Sequence, residues 1–258
     1  MPVLKAGRHL SGYKKDRPDP NDKVLASVDV SGLPKAAAIN DSMIPIFDQL
    51  QQGSCTGNGG CFQAAWLEHQ AGHTKTFSRQ FLYNVTRILE NMLSEDSGCE
   101  PRDVFRALAK YGVCEESFFP YDENKLTVTP PKAAYDAALA HKALMYFRCA
   151  SLSTIKQSIV DGFPVGFGFQ VYESFMSDEV ARTGLAPMPT RGEAQDGGHY
   201  VVCTGYDDTK KIGNMIGACK VRNSWGSNFG QAGYFWLPYG YWQQGLASDN
   251  WTLRRKML

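Results

Sequence analysis

The segment FDQLQQGSCTGNGG, residues 47–60, holds a single cysteine where a polar, Gly-rich loop gives way to a helical pattern. From Ser54 to about Gln70 the apolar residues recur at helical spacing, and AGHTKT then closes the element. The pattern therefore predicts a helix that begins next to Cys55. Because each of the three glycines in TGNGG costs about 1 kcal/mol relative to alanine in a helix, we expect another part of the chain to approach the backbone closely there.

A thiol at this position has a chemical use. Thiolate is the nucleophilic form of cysteine, and the start of a helix favours it through its partial positive charge and unpaired backbone N–H groups. Cys55 is therefore the candidate nucleophile. A helix end supplies only part of the required lowering of the thiol pKa, so a cationic neighbour such as an imidazolium is also expected.

Five histidines are candidates for that neighbour, and His199 stands apart from the others. DGGHYVVC places His199 at the mouth of an apolar strand, after two glycines that clear room beside it. The alternative interpretation is that His199 is an ordinary core histidine whose ring nitrogens are hydrogen-bonded inside the protein.

An imidazole that must hold one tautomer needs a hydrogen-bond partner on its other nitrogen. VRNSWG offers Asn223 for that bond, and we expect the indole of Trp225 to screen it from water. The remaining histidines lie in polar or helix-end contexts: His9, His69, His73 and His141.

Together these segments resemble the papain family of cysteine peptidases, in which His and Asn follow the nucleophile at long range. Here His199 lies 144 positions after Cys55, and Asn223 lies 168 positions after it. The resemblance spans roughly residues 45–240. NSWGSNFGQAGYFWL is similar to the family's NSWG-x-x-WG-x-x-GY segment, and YGVCEESFFPYD and GFPVGFGF are similar to two further family motifs.

The chain also departs from the common pattern of that family. It reads QGSCT where secretory members usually read CGSCW, so Gln52 replaces a disulfide cysteine and Thr56 replaces an aromatic residue. GYKKDRPDPND, SVDVSG and the DSG-x3-RD segment at residues 96–103 resemble the xylellain-like branch found in microbes and their viruses. The resemblance implies that branch of the family.

The resemblance also implies a cysteine endopeptidase and a role for each residue. Cys55 attacks a peptide carbonyl, His199 carries the proton to the leaving amine, and Asn223 orients His199. Gln49 and the backbone N–H of Cys55 hold the oxyanion. A solvated side chain is the alternative for Gln49, because it is one of three glutamines within four residues.

An extended polypeptide is the implied substrate. Gly98 and Cys99 fall near the loop that offers backbone hydrogen bonds to such a peptide, although the family's usual Gly pair is absent and SGCEPRD reads as an exposed turn. The main side-chain pocket is expected near Gly168 and Tyr200, with a preference for an apolar or aromatic side chain. The predicted substrate-binding residues are Gly98, Cys99, Gly168, Gly198, Tyr200 and Trp225.

The order of the elements predicts an α+β fold with two lobes and a cleft between them. Helical patterns lie at about 54–70, 78–93, 101–112, 131–143 and 153–162. Short Val-, Phe- and Tyr-rich segments follow at 163–171, 199–208, 217–225 and 233–239. The helical lobe is expected at about 45–145 and an antiparallel sheet or barrel at about 146–258, in a domain of residues 41–258.

Residues 1–40 are polar and weakly periodic, and they predict an N-terminal arm. Two interpretations of this arm stay open. It either wraps the sheet lobe, as many termini do, or lies near the cleft and limits access to it, which amounts to self-inhibition.

Composition excludes several other classes of protein. Twenty-seven basic residues balance 26 acidic ones, which argues against nucleic acid or an anionic membrane as the main partner. No apolar run reaches about 18 residues, and the N-terminus lacks the apolar core of a secretory signal, so a cytoplasmic location is expected. There is no C-x-x-C, and the only H-x3-H pair lacks a suitable Glu; we therefore predict neither metal nor cofactor.

The seven cysteines are expected to be thiols in a reducing compartment. Five of them are expected to behave as small buried hydrophobic residues. These are Cys61, Cys114, Cys149, Cys203 and Cys219.

Two other functions remain open at this point. A Cys-His-Asn site on the same fold can transfer an acyl group to an amine or hydrolyse a side-chain amide, which makes an acyltransferase or a deamidase. A binding protein can retain the scaffold without turnover. Such proteins usually lack the nucleophile or the histidine, and both are present here.

Overall fold

The computed structural model describes residues 12–26, 30–143 and 145–254. Residues 1–11 and 27–29 of the predicted arm, including His9, lie outside the described residues. The described α-helices are α1 (Cys55–Gln70), α2 (Arg79–Leu89), α3 (Pro101–Lys110), α4 (Lys132–Ala138), α5 (Leu152–Val160), α6 (Asp178–Thr183) and α7 (Gly240–Gln243).

Local signals in the sequence explain where these helices begin and end. The hydroxyl of Ser78 accepts a hydrogen bond from the Phe81 N–H at 2.9 Å and caps α2, as its position predicts. Pro101 occupies the first turn of α3, and Gly112 after it has a φ of 79°, which favours glycine. Two predicted lengths are wrong: α2 stops at Leu89 instead of residue 93, and α4 gives way to a 3₁₀ turn at Leu139–His141.

The described strands are β1 (Ala36–Ala38), β2 (Met145–Arg148), β3 (Val165–Tyr172), β4 (Gln195–Ile212), β5 (Met215–Arg222), β6 (Tyr234–Pro238) and β7 (Ala247–Arg254). They form an antiparallel sheet with the order β2-β7-β3-β4-β5-β6, and β1 pairs with β4. The predicted strand segments correspond to β3, β4, β5 and β6, whereas β1, β2 and β7 were not predicted.

Two hydrophobic cores confirm the predicted α+β fold with two lobes. One core lies among α1, α2 and α3, and the other lies against the sheet. Trp251 and Leu253 of β7 pack into the helical core, so the last strand crosses from one lobe to the other. The lobes are thus joined by shared packing as well as by the chain.

Helix α1 lies at the junction of the two lobes and contacts both α2 and β4. A Cβ atom on Gly59 would lie 2.9 Å from the ring of Tyr200, and one on Gly60 would lie 2.6 Å from Val104. The close approach predicted for the helical glycines is therefore confirmed at these two positions. Larger residues would push α1 away from its neighbours.

The described part of the arm contacts both lobes. Tyr13 forms a bridge with Cys99 beside α3, and Val24 forms one with Arg148 of β2. Ala36–Ala38 then pairs antiparallel with β4. Among the described residues, no helix is both long enough and apolar enough to cross a membrane.

Candidate active site

The thiol of Cys55 lies at the first residue of α1 and is 1% exposed. Burial raises the pKa of Cys55 to about 12, and the backbone N–H groups of Tyr200 and Thr56 oppose the rise. This direction is opposite to the lowering expected from a helix start, because loss of solvent outweighs the local N–H groups.

The contact with Tyr200 brings the sheet lobe to the thiol, because Tyr200 directly follows His199 on β4. His199 Nε2 lies 2.8 Å from Asn223 Oδ1. The N–H of Ser224 donates to the same oxygen at 2.8 Å, so this oxygen, and not the amide nitrogen, faces the imidazole. Nε2 therefore carries the proton of the neutral ring, and Nδ1 is the nitrogen that can accept one.

Trp225 covers this pair of side chains. Its indole stacks on the His199 ring with centroids 4.6 Å apart and planes at 21°. Trp225 is itself 3% exposed and packs edge-on against Phe175 and Phe229. Water is thus kept from the His199–Asn223 bond. Trp225 was predicted to contact substrate, but the rings around it leave little of its surface exposed.

Gln49 lies in the loop before α1 and faces the segment that follows Asn223. Its backbone N–H donates to the Ser224 carbonyl at 2.8 Å, and its Oε1 accepts from the Ser224 hydroxyl at 2.6 Å. Its Nε2 donates to the Gln52 carbonyl at 2.8 Å. The side chain is 1% exposed, so the solvated alternative for Gln49 does not apply, and its amide is fixed in one orientation.

Arg222 holds this loop to the sheet and was not found from the sequence. Its guanidinium donates to Asp41 at 2.8 Å and to the carbonyls of Ile44 and Pro45. Because Arg222 ends β5 and directly precedes Asn223, the loop that carries Gln49 and the segment that carries Asn223 are fixed together. An arginine beside the NSWG motif is the only local signal that marks this role.

Asp96 holds the backbone on the other side of the thiol. It accepts from the Gly53 N–H at 2.8 Å and from the Tyr83 hydroxyl at 2.5 Å. Tyr83 in turn accepts from the Gly98 N–H at 3.1 Å. The loop before Cys55 and the loop at Gly98 are therefore held by one partly buried network, which was not predicted from the sequence.

The arm lies over the thiol at Gly12. A Cβ atom on Gly12 would lie 2.9 Å from Cys55 Sγ. The Cys99 N–H donates to the Gly12 carbonyl, and the Lys14 N–H donates to the Cys99 carbonyl, both at 3.1 Å. Cys99 is fully buried, so the exposed turn predicted for it is wrong; the arm pairs with its backbone and covers it.

Three of the predicted substrate-binding residues meet at Tyr13. A Cβ on Gly168 would lie 2.5 Å from Cε1 of Tyr13, and one on Gly198 would lie 2.8 Å from its Cδ1. The Tyr200 ring lies deeper, fully buried against α1, with its centroid 6.5 Å from that of Tyr13. The glycines thus flank the space beside the thiol, and Tyr200 lies behind it.

All seven cysteines are free and buried, and the burial predicted for the five structural ones is confirmed. Within residues 12–26, 30–143 and 145–254, no group of three or more His, Cys, Asp or Glu side chains is placed to hold a metal ion.

Comparisons with known proteins agree on one family. The family model described as "Papain family cysteine protease" matches residues 34–252. A peptidase C1-like protein of Acanthamoeba polyphaga mimivirus is 36% identical over 94% of this chain and 86% of its own length.

Solved structures give the same result. The crystal structure of xylellain, a cysteine protease from Xylella fastidiosa, is 31% identical, covers 96% of this chain and 97% of its own, and superposes with a TM-score of 0.83. A procathepsin B from Trypanosoma congolense is 14% identical and shares the fold, with a TM-score of 0.71 over 95% of this chain and 86% of its own.

Proposed function

Since this chain belongs to the papain family of cysteine proteases, we propose that it is an endopeptidase in which Cys55, His199 and Asn223 cleave extended polypeptides. The observation that carries this proposal is the 2.8 Å contact between His199 Nε2 and Asn223 Oδ1. It fixes the tautomer that a general base needs, on the strand whose next residue, Tyr200, has a backbone N–H that lowers the pKa of Cys55.

The first step is attack of the sulfur on the substrate carbonyl carbon. The proton of Cys55 passes to Nδ1 of His199, and the thiolate forms a bond to the carbonyl carbon. The carbonyl π electrons move to the oxygen, which becomes an oxyanion. Asn223 stabilises the resulting imidazolium through Nε2, and Trp225 keeps water from competing for that bond.

The oxyanion is held by the backbone N–H of Cys55 and by Gln49. One N–H of the Gln49 amide is bound to the Gln52 carbonyl, and Ser224 holds its oxygen. The second N–H therefore points in a fixed direction, because the side chain cannot rotate freely. A donor fixed in advance in this way can stabilise the oxyanion. Collapse of the intermediate releases the amine with a proton from His199, and water hydrolyses the thioester.

The second part of the proposal is that the N-terminal arm inhibits the enzyme. Gly12 lies against Cys55, and the backbone of Cys99 is hydrogen-bonded to Gly12 and Lys14, so the arm occupies backbone groups that an extended peptide would need. The arm thereby buries the thiol, and burial raises the pKa of Cys55. A substrate can reach a reactive thiolate only after the arm has moved.

Labelling and product analysis test this function. An epoxide that traps cysteine-peptidase thiolates should label the wild type on Cys55 only, and should not label the Cys55→Ala or His199→Ala variants. Mass spectrometry of a peptide mixture should show new termini. Labelling of another cysteine would overturn the assignment, and a mass gain of one dalton without cleavage would indicate a deamidase.

A further inference from the structure

The segment FFPYD has no part in the chemistry proposed above, yet its tyrosine lies against the loop that carries Gln49. The Tyr121 hydroxyl donates to the backbone carbonyl of Gln49 at 2.7 Å. Two residues further along the chain, the Glu123 carboxylate accepts from the Gln51 N–H at 2.8 Å. One short stretch of chain therefore holds the loop at two neighbouring points.

The Tyr121 hydroxyl also joins this loop to the start of α1. Its oxygen lies 2.6 Å from the hydroxyl oxygen of Ser54. Because a phenol has a single O–H and Tyr121 donates it to Gln49, the Ser54 hydroxyl is the donor in this pair. The Asn58 amide donates in turn to the Ser54 hydroxyl at 3.1 Å. The three bonds run in one direction, from α1 to the Gln49 carbonyl, and bonds in such a chain strengthen one another.

Tyr121 is itself fixed by its surroundings. Burial raises the pKa of Tyr121 to about 12, so the phenol keeps its proton at neutral pH. The Arg79 guanidinium carbon lies over the ring, 4.0 Å from its centroid, where the π electrons attract a cation. The same guanidinium donates to the Asp48 carbonyl at 2.9 Å and to Asn58 Oδ1 at 3.2 Å. The ring is thus held by α2 while its hydroxyl holds the loop.

The loop needs these contacts because its backbone is strained. Leu50, which follows Gln49, has a φ of 54°, a conformation that residues with a large side chain rarely adopt. Such strain persists only where the surroundings hold it. The Leu50 side chain is 45% exposed, so its own packing does not supply that restraint. The bonds that Tyr121 and Glu123 make to the residues on either side do supply it.

We propose that Tyr121 is a positioning residue of this protease, whose hydroxyl fixes the backbone of Gln49 and thereby keeps the Gln49 amide directed at the oxyanion. The inference rests on the proposed function. Tyr121 acts through Gln49 and does not touch the substrate. Its hydroxyl should therefore matter for steps that form an oxyanion, and should not matter for the reactivity of the sulfur.

Two reactions of the full-length protein separate these effects. Cleavage of a fluorogenic peptide amide, measured as kcat and KM, passes through an oxyanion. Alkylation of Cys55 by iodoacetamide is a displacement at a saturated carbon: the C–S bond forms, iodide leaves and no oxyanion appears. Both reactions need an uncovered thiol, so the fraction of enzyme from which the arm has moved cancels in the ratio of kcat/KM to the alkylation rate.

Single variants give the first readout. Tyr121→Phe keeps the ring and removes the hydroxyl, so kcat should fall about tenfold, the effect of one lost hydrogen bond, with KM and the alkylation rate within about twofold of wild type. Ser54→Ala keeps the bond to Gln49 and removes only the donor to Tyr121, and should lower kcat about threefold. Tyr135→Phe is the matched control, since Tyr135 packs against the helical core on α4; its kinetics should equal those of the wild type.

A double variant tests whether Tyr121 acts through Gln49. In Gln49→Ala the amide is already absent, so adding Tyr121→Phe should lower kcat by less than about twofold more. A further tenfold loss would show that the two residues act independently, and it would overturn the inference.

Each remaining outcome also decides the inference. A tenfold loss of kcat in Tyr121→Phe with unchanged alkylation, absent when Gln49 is alanine, supports it. An unchanged kcat, or equal losses of turnover and alkylation, overturns it while the protease assignment stands. Cleavage by Gln49→Ala at the wild-type rate overturns it together with the role of Gln49, and Cys55 remains the nucleophile. Failure of the wild type to cleave peptides, together with an unlabelled Cys55, overturns the proposed function and this inference with it.

Discussion

Different kinds of contact hold the wall of the cleft and the arm segment that covers it. The wall here means the residues around the thiol, and the cover means residues 12–26 of the arm. On the wall, His199 is fixed by the neutral amide of Asn223 and by the indole of Trp225. On the cover, Asp22 of the arm binds the Arg102 guanidinium through two bonds of 2.7 Å and also reaches Arg148. Charged contacts depend on pH and salt, whereas packed neutral ones depend on them little. If the arm inhibits the enzyme as proposed, we expect changes in solution conditions to affect its docking more than they affect the geometry of the site.

Replacing Cys55 or His199 is expected to have the largest effect on activity. Cys55→Ala and His199→Ala should each lower kcat by about 10⁴–10⁶, since the groups act as a unit. The cover should be unaffected, because neither side chain belongs to its ionic contacts. Steady-state kinetics measure the first expectation, and the rate of proteolytic nicking within residues 12–26 measures the second.

Cys114→Ala is the control for these variants. Cys114 is a buried thiol of the helical core and has no role in the proposed chemistry. Its replacement should leave turnover within about twofold of the wild type. Loss of activity in Cys114→Ala with retention in Cys55→Ala would reverse the assignment of the nucleophile.

Removing the contact between Gln49 and the oxyanion is expected to have the second-largest effect on activity. Gln49→Ala should lower kcat by about 10²–10³, or roughly 2.7–4 kcal/mol of barrier, with little change in KM, because an oxyanion exists only in the transition state and the intermediate. The adjacent Gln51 is exposed, and Gln51→Ala provides the control in the same loop. Equal kinetics for the two variants would remove Gln49 from the mechanism.

This difference between wall and cover also explains what could be predicted from the sequence. Cys55, His199 and Asn223 each lie in a short motif with its own local signal, such as the helix start or NSWG. Asp16 and Asp249, in contrast, meet across 233 positions: the Asp16 N–H donates to Asp249 Oδ2 at 3.0 Å. No pattern in a polar arm indicates which carboxylate becomes buried, because tertiary packing decides it.

The strand that carries Asp249 was missed for a related reason. β7 contains ASDN, and Asp and Asn are depleted in strands. The strand forms because Trp251 anchors it in the helical core and its Nε1–H donates to Asp16 Oδ2 at 2.7 Å. Cys99 was misjudged by the same limit, since it is buried by packing in the helical core and by the arm that pairs with its backbone.

Weakening the cover has a smaller and opposite effect on activity. Asp22→Ala removes both guanidinium bonds of Arg102 and the Arg148 contact, so the arm should open more often and Cys55 alkylation should be about tenfold faster. The effect should stay below the full cost of a broken buried pair if water takes the place of the Asp22 carboxylate beside Arg102 in the docked arm.

Lys14→Ala provides the comparison within the arm. Lys14 pairs with Glu90 at 3.3 Å through a partly exposed side chain, and such pairs contribute little. Its loss should change the alkylation rate by less than about twofold. Equal rates for wild type and Asp22→Ala would mean that the ionic contacts do not hold the cover.

The smallest expected effect is that of pH on the cover, and it depends on Asp16. Burial, and then the Asp249 charge, raise the pKa of Asp16 to about 7, against hydrogen bonds from the Arg102 N–H and the Trp251 indole. In the released arm this carboxyl has an ordinary pKa near 4. Between about pH 4 and 7 the docked arm therefore holds a proton that the released arm has lost, so docking weakens as pH rises through this window and changes no further above it.

Between pH 6 and pH 7 these two pKa values predict about fivefold more release. The intrinsic pH dependence of thiol alkylation is common to wild type and Asp16→Asn, and the amide cannot titrate, so the ratio of their Cys55 alkylation rates isolates the carboxyl. That ratio should rise about fivefold from pH 6 to pH 7 and then level off. A constant ratio would mean that Asp16 is ionised under the docked arm, with the Arg102 charge outweighing its burial and its proximity to Asp249.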